Sequence, residues 1–296
     1  MRIFLGLREI AGYYNSLRLG FEEVGIEARF VNLYNHKFQY GEPDKQLLSR
    51  ICRATGAYKN STKIIPLKMF YFAVHYFFRI ILFLKCLFKY DVFIFGYNST
   101  FFYYLDLPVL KFFNKKIIYV FHGSDSRPPY IDGAYIKSKP KPSIDDCFNE
   151  KKKKKKILLI IEKYADHIIN QLPQSYLHQR DFILKLAVGI PFESDIENIS
   201  NTGSNKIFTI LHSPSFPEAK GSETIETIIK ELKKDGYKIE LKKIQNMQNK
   251  IVIENILHCD LAIDQLYSDH PLAGFATEAS YFGRAVIVGG YYLDYV

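Results

Sequence analysis

The sequence is poor in cysteine, and its four cysteines lie far apart, at Cys52, Cys86, Cys147 and Cys259. None of them forms the C-x-x-C spacing that is typical of zinc sites and redox motifs. This distribution argues against a structural zinc and favours reduced thiols in a cytoplasmic protein. The start of the chain, MRIFLGL, also lacks the long apolar core and cleavage site of a signal peptide, so none is predicted.

Acidic residues are in deficit, since 31 Asp and Glu against 40 Lys and Arg leave a formal net charge of +9. This excess predicts an anionic partner: a phosphate-bearing ligand, an acidic membrane surface or nucleic acid. Nucleic acid is disfavoured, because no basic motif interleaved with aromatic residues accompanies the lysine run at 151–156. The run is typical of a solvated helix face or loop, and the alternative is a patch facing an anionic membrane.

The order of elements predicts an α/β protein with two domains. Residues 2–7 read as a strand, 13–24 as a helix and 27–33 as a second strand, which is the opening of a doubly wound parallel sheet. A polar, turn-rich stretch at 192–205 is the predicted linker between an N-terminal domain (1–191) and a C-terminal domain (206–296), which restarts the same pattern. Gly12 lies at the first strand-to-helix turn, where backbone can approach a ligand; the alternative is a plain tight turn.

The most apolar segment, residues 66–90, is long enough to raise the question of a membrane span, which needs roughly 20 apolar residues. His75, Arg79 and Lys85 interrupt it, and a charge near the centre of a bilayer is costly. We therefore predict a buried helix of a soluble domain, with one face touching a membrane as a secondary expectation.

Functional groups gather after the strand predicted at 117–121, where the chain reads His122-Gly123-Ser124-Asp125. Ligands of open α/β sheets bind at the carboxyl ends of strands, so His122 is predicted to hydrogen-bond a hydroxyl. The alternative is a capped turn, in which Ser124 or Asp125 satisfies local N–H groups.

The stretch from Cys259 onward organises the C-terminal half. A buried strand (LAI) leads through a loop to Gly274, which opens a helix over 275–282, and the strand AVIVGG follows. The start of such a helix offers free N–H groups to phosphates, and Glu278, one turn in, can accept hydrogen bonds from a ribose diol. That pairing suits a sugar nucleotide, although any Rossmann-like unit with a surface glutamate would also fit.

A helix is predicted at 222–234, with Ser222 as its expected cap. The segments DLAIDQ and GFATEASYFGRAVI, with Lys220-Gly221 before this helix, resemble the donor-binding half of GT-B glycosyltransferases of the retaining family-4 type. The resemblance implies two Rossmann-like domains facing a central cleft. It also implies transfer of a hexose from a nucleotide diphosphate-sugar to a glycan or lipid-linked acceptor in surface polysaccharide or glycoconjugate synthesis. No cofactor and no metal are implied, because the sequence has no Asp-x-Asp and a lysine can replace a cation at the diphosphate.

The resemblance and the motifs together give three groups of candidate residues. The catalytic candidates are His122 and Lys220, and Ser124 and Asp125 are placed on the acceptor side. The donor-binding candidates are Gly12, His212, Ser213, Lys220, Gly221, Met247, Gly274, Phe275, Ala276 and Glu278.

Two features depart from the family pattern. An arginine that many relatives carry a few residues before the lysine is missing, and the position of a second glutamate is His270, with Asp269 beside it. The chain also stops at Val296, just after a strand, which predicts an incomplete C-terminal domain. The alternative function is therefore a non-catalytic nucleotide- or glycan-binding relative. The expected location is the cytoplasm, with docking on the inner face of the membrane through the lysine run and the aromatic segment.

Overall fold

A computed structural model describes residues 1–34, 44–96, 98–136, 140–184, 207–267 and 273–289. The predicted linker at 192–205 lies outside the described residues, and so do Asp269 and His270. The predictions made for them stay predictions.

Ten strands and ten α-helices are formed by the described residues. The strands are β1 (Arg2–Leu7), β2 (Glu27–Asn32), β3 (Val92–Phe95), β4 (Lys116–Val120), β5 (His167–Asn170), β6 (Ile183–Leu184), β7 (Phe208–His212), β8 (Ile239–Lys243), β9 (Leu261–Ile263) and β10 (Ala285–Ile287). The helices are α1 (Tyr13–Glu23), α2 (Leu47–Ser61), α3 (Ile65–Lys89), α4 (Asp106–Phe112), α5 (Gly133–Ile136), α6 (Ile144–Tyr164), α7 (Pro217–Lys220), α8 (Ser222–Lys234), α9 (Asn249–Leu257) and α10 (Gly274–Tyr281).

The first sheet has six parallel strands in the order β2-β1-β3-β4-β5-β6. Side chains alternate between the two faces of β1. Phe4 joins one buried cluster, while its neighbours Ile3 and Leu5 point to the other face and join another. A strand buried on both faces reads as a continuous apolar run, which is why β1 is recognisable in the sequence.

The second sheet has four parallel strands in the order β10-β9-β7-β8. The same alternation divides its core, since Leu211 and Ala262 belong to one cluster and Ile210 and Ile263 to another. The α8 helix covers the second cluster with Ile225 and Ile229. The predicted α/β class with parallel sheets is confirmed.

The apolar segment at 66–90 forms the α3 helix, but the prediction that it is buried is wrong in part. Leu82, Phe83, Cys86 and Leu87 are buried in the core of the first sheet. The opposite face of α3 is apolar and exposed. Within the described part of the chain, α3 is the helix that is long and apolar enough to cross a membrane, by length and composition.

The chain divides into two compact units. The first comprises Met1–Ser126, Lys154–Leu172 and Leu177–Leu186, and the second comprises Arg127–Lys153, Pro173–Tyr176 and Ala187–Val296. The residues 127–153, which the sequence assigns to the N-terminal domain, thus group with the second sheet. Residues 127–150 are rich in Pro, Lys and Asp, a composition that predicts a loop, but α5 and the start of α6 lie there. The predicted domain limits and the central cleft stay predictions.

Candidate functional site

The carboxyl edge of the second sheet brings together Lys220 and the residues that follow β9. The Lys220 ammonium donates to Asp264 Oδ1 at 2.6 Å and to Gln265 Oε1 at 2.7 Å. Asp264 and Gln265 directly follow β9, and Lys220 lies in the short helix α7 that follows β7. Because β7 and β9 are parallel, the segments after them meet at the same edge of the sheet. Neither Asp264 nor Gln265 was assigned a role from the sequence, although their position after a buried strand was the available signal.

Asp264 is a buried carboxylate whose charge is compensated by Lys220. Its exposed fraction is 1%, and its Oδ2 atom accepts no hydrogen bond from the described residues. A buried charge is tolerated when it is paired, and removing one partner of such a pair is strongly destabilising. Lys220 and Asp264 are therefore coupled in stability as well as in position.

The turn between α7 and α8 is built on Gly221. Its φ of +74° lies in the left-handed region, and an added Cβ would come within 2.8 Å of the Leu266 Cδ1 atom. The Leu266 N–H donates to the Lys220 carbonyl at 3.2 Å, which ties the loop after β9 to the lysine. Only glycine fits this close approach, which explains why a glycine follows Lys220.

We expect Gly221→Ala to destabilise the protein by more than the backbone conformation alone would cost. A residue with a Cβ pays about 1–2 kcal/mol in the left-handed region, and the contact with Leu266 adds to this. Gly236→Ala is the matched control, because Gly236 has a φ of +91° but open space around the added Cβ. Chemical denaturation of both variants measures the difference; equal losses would contradict the role of the Leu266 contact.

His212 connects β9 to the start of α8 through its two ring nitrogens. Its side chain is fully buried, with Nδ1 2.8 Å from the Ile263 carbonyl and Nε2 2.8 Å from the Ser222 hydroxyl. The carbonyl requires a proton on Nδ1, so the hydroxyl donates to Nε2. Burial lowers the pKa of His212, which favours this neutral ring. Both ring nitrogens are engaged by the chain itself, and the predicted donor contact of His212 stays a prediction.

Ser222 has a different role from the one predicted. It was expected to cap α8, but the N-cap residue is Gly221 and the Ser222 hydroxyl is directed to His212 instead. The correction follows from burial: Ser222 lies within the site, where its hydroxyl holds the imidazole.

Glu278 is a buried carboxyl group on the first turns of α10, with an exposed fraction of 2%. Its Oε1 atom accepts a hydrogen bond from Asn249 Nδ2 at 2.8 Å. Burial raises the pKa of Glu278 to about 7, the Asn249 hydrogen bond lowers it, and the charge of Asp264 raises it further. A carboxyl group that titrates near neutrality beside a second carboxylate is typical of a functional site.

The other donor-binding candidates differ in what they offer. Ala276 is buried and Phe275 packs against the core, so these two can contribute backbone N–H groups rather than side chains. Gly274 has open space around it, and Ala273 before it has no side chain that could cap α10. Met247 is exposed.

In the first unit, His122 is held by Tyr14. The Tyr14 hydroxyl lies 3.0 Å from His122 Nε2, and Tyr14 is itself fully buried. Gly96 makes room for this phenol, because a Cβ there would lie 1.6 Å from the hydroxyl oxygen. The carboxylate of Asp125 accepts N–H groups of His122 and Gly123, which is the capped-turn alternative. The acceptor-side roles of Ser124 and Asp125 stay predictions.

The loop before α1 contains an acceptor that sequence reasoning missed. Glu9 is buried, and its carboxylate accepts N–H groups of Ile10 and Tyr14 through Oε1 and of Asn15 through Oε2. Gly12, with a φ of +80°, is the N-cap residue of α1. These contacts account for Gly12 as a tight turn, and its predicted donor contact stays untested.

No group of three or more His, Cys, Asp or Glu side chains is placed to hold a metal ion among the residues that the structure describes. The candidate sites consist instead of one ammonium, several carboxyl groups and helix starts.

No protein-family model matches the chain, and no curated protein sequence matches it. Among solved structures, HepE of Anabaena in complex with UDP and glucose is similar over 99% of this chain and 82% of its own, at 12% identity and a TM-score of 0.47. The spinosyn forosaminyltransferase SpnP is similar over 98% and 80%, at 10% identity and a TM-score of 0.40. The spinosyn rhamnosyltransferase SpnG complexed with thymidine diphosphate is similar over 97% and 80%, at 7% identity and a TM-score of 0.40.

Proposed function

We propose that the chain is a glycosyltransferase of the GT-B type, resembling the retaining family-4 enzymes. It would transfer a hexose from a nucleotide diphosphate-sugar to a glycan or lipid-linked acceptor in the cytoplasm, in surface polysaccharide or glycoconjugate synthesis. The retaining course and the class of acceptor rest on the resemblance of the sequence motifs.

One observation carries the proposal: an ammonium and a buried carboxyl group lie at the carboxyl edge of the second parallel sheet. Lys220 and Glu278 are linked through Asp264, which binds the first and raises the pKa of the second. A diphosphate needs positive donors, and a ribose diol needs an acceptor. In this proposal Lys220 binds the diphosphate of a nucleoside diphosphate, and Glu278 binds its ribose.

The proposed role of Lys220 in the reaction follows from its hydrogen-bond donors. An ammonium has three N–H donors, and Asp264 and Gln265 take two of those of Lys220. The third can reach a leaving diphosphate, on which negative charge grows toward the transition state. Because its two protein partners fix the ammonium in place, little reorganisation is needed when that charge develops.

The direct test is a donor screen with UDP-, GDP- and TDP-sugars that reads nucleotide release, together with titration calorimetry of each nucleotide. We expect binding of one nucleotide class and release that persists after EDTA treatment, because Lys220 would replace a cation. A strict divalent-metal requirement would contradict the metal-free scheme. Binding without turnover would support the non-catalytic alternative, and the absence of any binding would overturn both.

A further inference from the structure

The α3 helix presents an apolar face to the outside of the first unit. Every exposed side chain between residues 69 and 84 is apolar, and Phe77, for example, is 60% exposed. The members of this face, which we call the α3 outer face, are Met69, Phe70, Phe72, Ala73, Phe77, Ile80, Ile81 and Leu84. Contiguous apolar surface of this kind marks an interaction site on a soluble protein.

The polar residues of the same segment point inward. His75 Nδ1 lies 3.0 Å from the Cys52 carbonyl, and Arg79 Nη2 donates to the Thr100 carbonyl at 3.2 Å. Both side chains are buried. Two of the three residues that argue against a membrane span in the sequence, His75 and Arg79, are therefore absent from the α3 outer face, and the third, Lys85, lies at its end.

Positive charge occurs at both ends of this face. Lys68 and Lys85 are exposed, and their Cα atoms are roughly 25 Å apart along the helix axis at 1.5 Å per residue. The α3 helix contains no aspartate or glutamate. The apolar surface also continues beyond Lys85, because the Phe88 ring lies 5.9 Å from the Phe113 ring and the adjacent Phe112 is 82% exposed.

We propose that the α3 outer face docks the protein in the plane of an anionic lipid bilayer, with Lys68 and Lys85 at the headgroups and the aromatic residues among the acyl chains. Aromatic and aliphatic side chains flanked by lysines are the composition of interfacial helices. Crossing the bilayer would remove the inner face of α3 from the core that holds Leu82 and Phe83.

A second copy of the chain is a poorer partner than a bilayer. If α3 packed on another α3 about a two-fold axis, Lys68 would meet Lys68 or Lys85 of the other helix in either direction. No acidic side chain of α3 is available to compensate these like charges. An anionic surface complements them at both ends.

The proposal does not depend on the lysine run at 151–156, which the sequence had suggested. That run lies in α6, and part of it is engaged within the chain. Lys154 donates to the Ser124 carbonyl at 2.6 Å, and the Lys151 ammonium lies 5.4 Å from the centre of the Tyr130 ring.

Flotation of the full chain with vesicles tests the proposal. We expect flotation with phosphatidylcholine vesicles that contain phosphatidylglycerol and little with phosphatidylcholine alone. Raising the salt concentration from 0.1 to 1 M should release much of the protein, since the Debye length falls from about 10 Å to about 3 Å. Equal flotation with both vesicles would overturn the anionic partner, and no flotation would overturn the proposal.

Matched variants locate the surface. Phe70→Ser/Phe77→Ser should lower vesicle binding at least ~10-fold with unchanged thermal unfolding, because both side chains are exposed. Leu159→Ser/Ile160→Ser, which changes two exposed apolar residues of α6, is the control and should bind as the unaltered chain does. Loss of binding in the control but not in the α3 variant would overturn the assignment.

Two further arms separate the alternatives. Replacing the six lysines of the run at 151–156 with glutamine should change binding by less than ~2-fold; loss of binding there, with the α3 variant unaffected, would overturn the proposal. Sedimentation equilibrium without lipid should show one mass. A dimer that Phe70→Ser/Phe77→Ser abolishes, in a chain that ignores vesicles, would make a second copy the occupant of the α3 outer face.

Discussion

Replacing Lys220 with alanine is expected to lower turnover by about 10²–10³-fold, the cost of losing one positioned donor to developing negative charge. The donor affinity should fall much less, because the charge on the leaving diphosphate is greater in the transition state than in the bound donor. Steady-state kinetics with the donor found in the screen separates the two quantities. If only the Michaelis constant changed, Lys220 would bind the donor uniformly and would not act in the chemical step.

The same substitution should also reduce stability, because it leaves the Asp264 carboxylate buried without its counter-ion. The expected loss is of the order of 3–5 kcal/mol. Lys220→Ala/Asp264→Asn is the matched control: it removes the buried charge as well, so it should recover most of the stability and none of the turnover. Recovery of turnover in the double variant would show that the kinetic defect of Lys220→Ala is a folding defect.

Replacing Glu278 with glutamine is expected to weaken donor binding by about 10- to 100-fold above pH 7, since hydrogen bonds to a charged group contribute roughly 1.5–3 kcal/mol. In the unaltered protein, the affinity should rise as pH increases through the pKa of about 7, because the ionised carboxylate is the stronger acceptor. The glutamine variant should show no such rise. Titration calorimetry between pH 6 and 8 measures both; a parallel pH dependence in the variant would contradict the role of Glu278.

The stability of the ligand-free protein should respond in the opposite sense. Between the ordinary pKa of 4.5 and the folded value of about 7, the folded state keeps a proton on Glu278 that the unfolded state loses. The free energy of unfolding therefore falls by about 3 kcal/mol as pH rises through this window, because the folded state holds one more proton than the unfolded state there. Above the window it stays at the lower value. Glu278→Gln should remove that part of the pH dependence and make the protein more stable at pH 8. Denaturation curves at pH 5 and pH 8 decide the matter.

Local patterns predicted the fold well where one physical effect dominates. The β1 strand has the limits predicted, because a strand buried on both faces is apolar throughout. The α3 helix was also placed correctly, but its burial was not. Two polar residues of α3, His75 and Arg79, lie on its covered face, so its hydrophobic pattern does not indicate which face is exposed. Only the packing of the inner face on the sheet shows which residues remain outside.

Local patterns in the sequence indicate the charged groups of the candidate site but not the contacts between them. Lys220 and Glu278 follow from a short motif and a helix start. Asp264 and Asn249, which hold them, come from loops and helix ends far away in sequence, and no local pattern pairs them. The Ser222 hydroxyl shows the same difficulty, since its partner His212 is set by the tertiary fold and local capping rules pointed elsewhere.

The loop before α1 places a carboxylate of the chain at the start of that helix. The start of a helix attracts anions because its first N–H groups lack partners, and at α1 Glu9 already supplies an anion of the chain's own. A second negative charge brought there would meet repulsion instead of attraction. Glu9 thus occupies the start of α1, and a phosphate would have to displace this carboxylate before it could bind there.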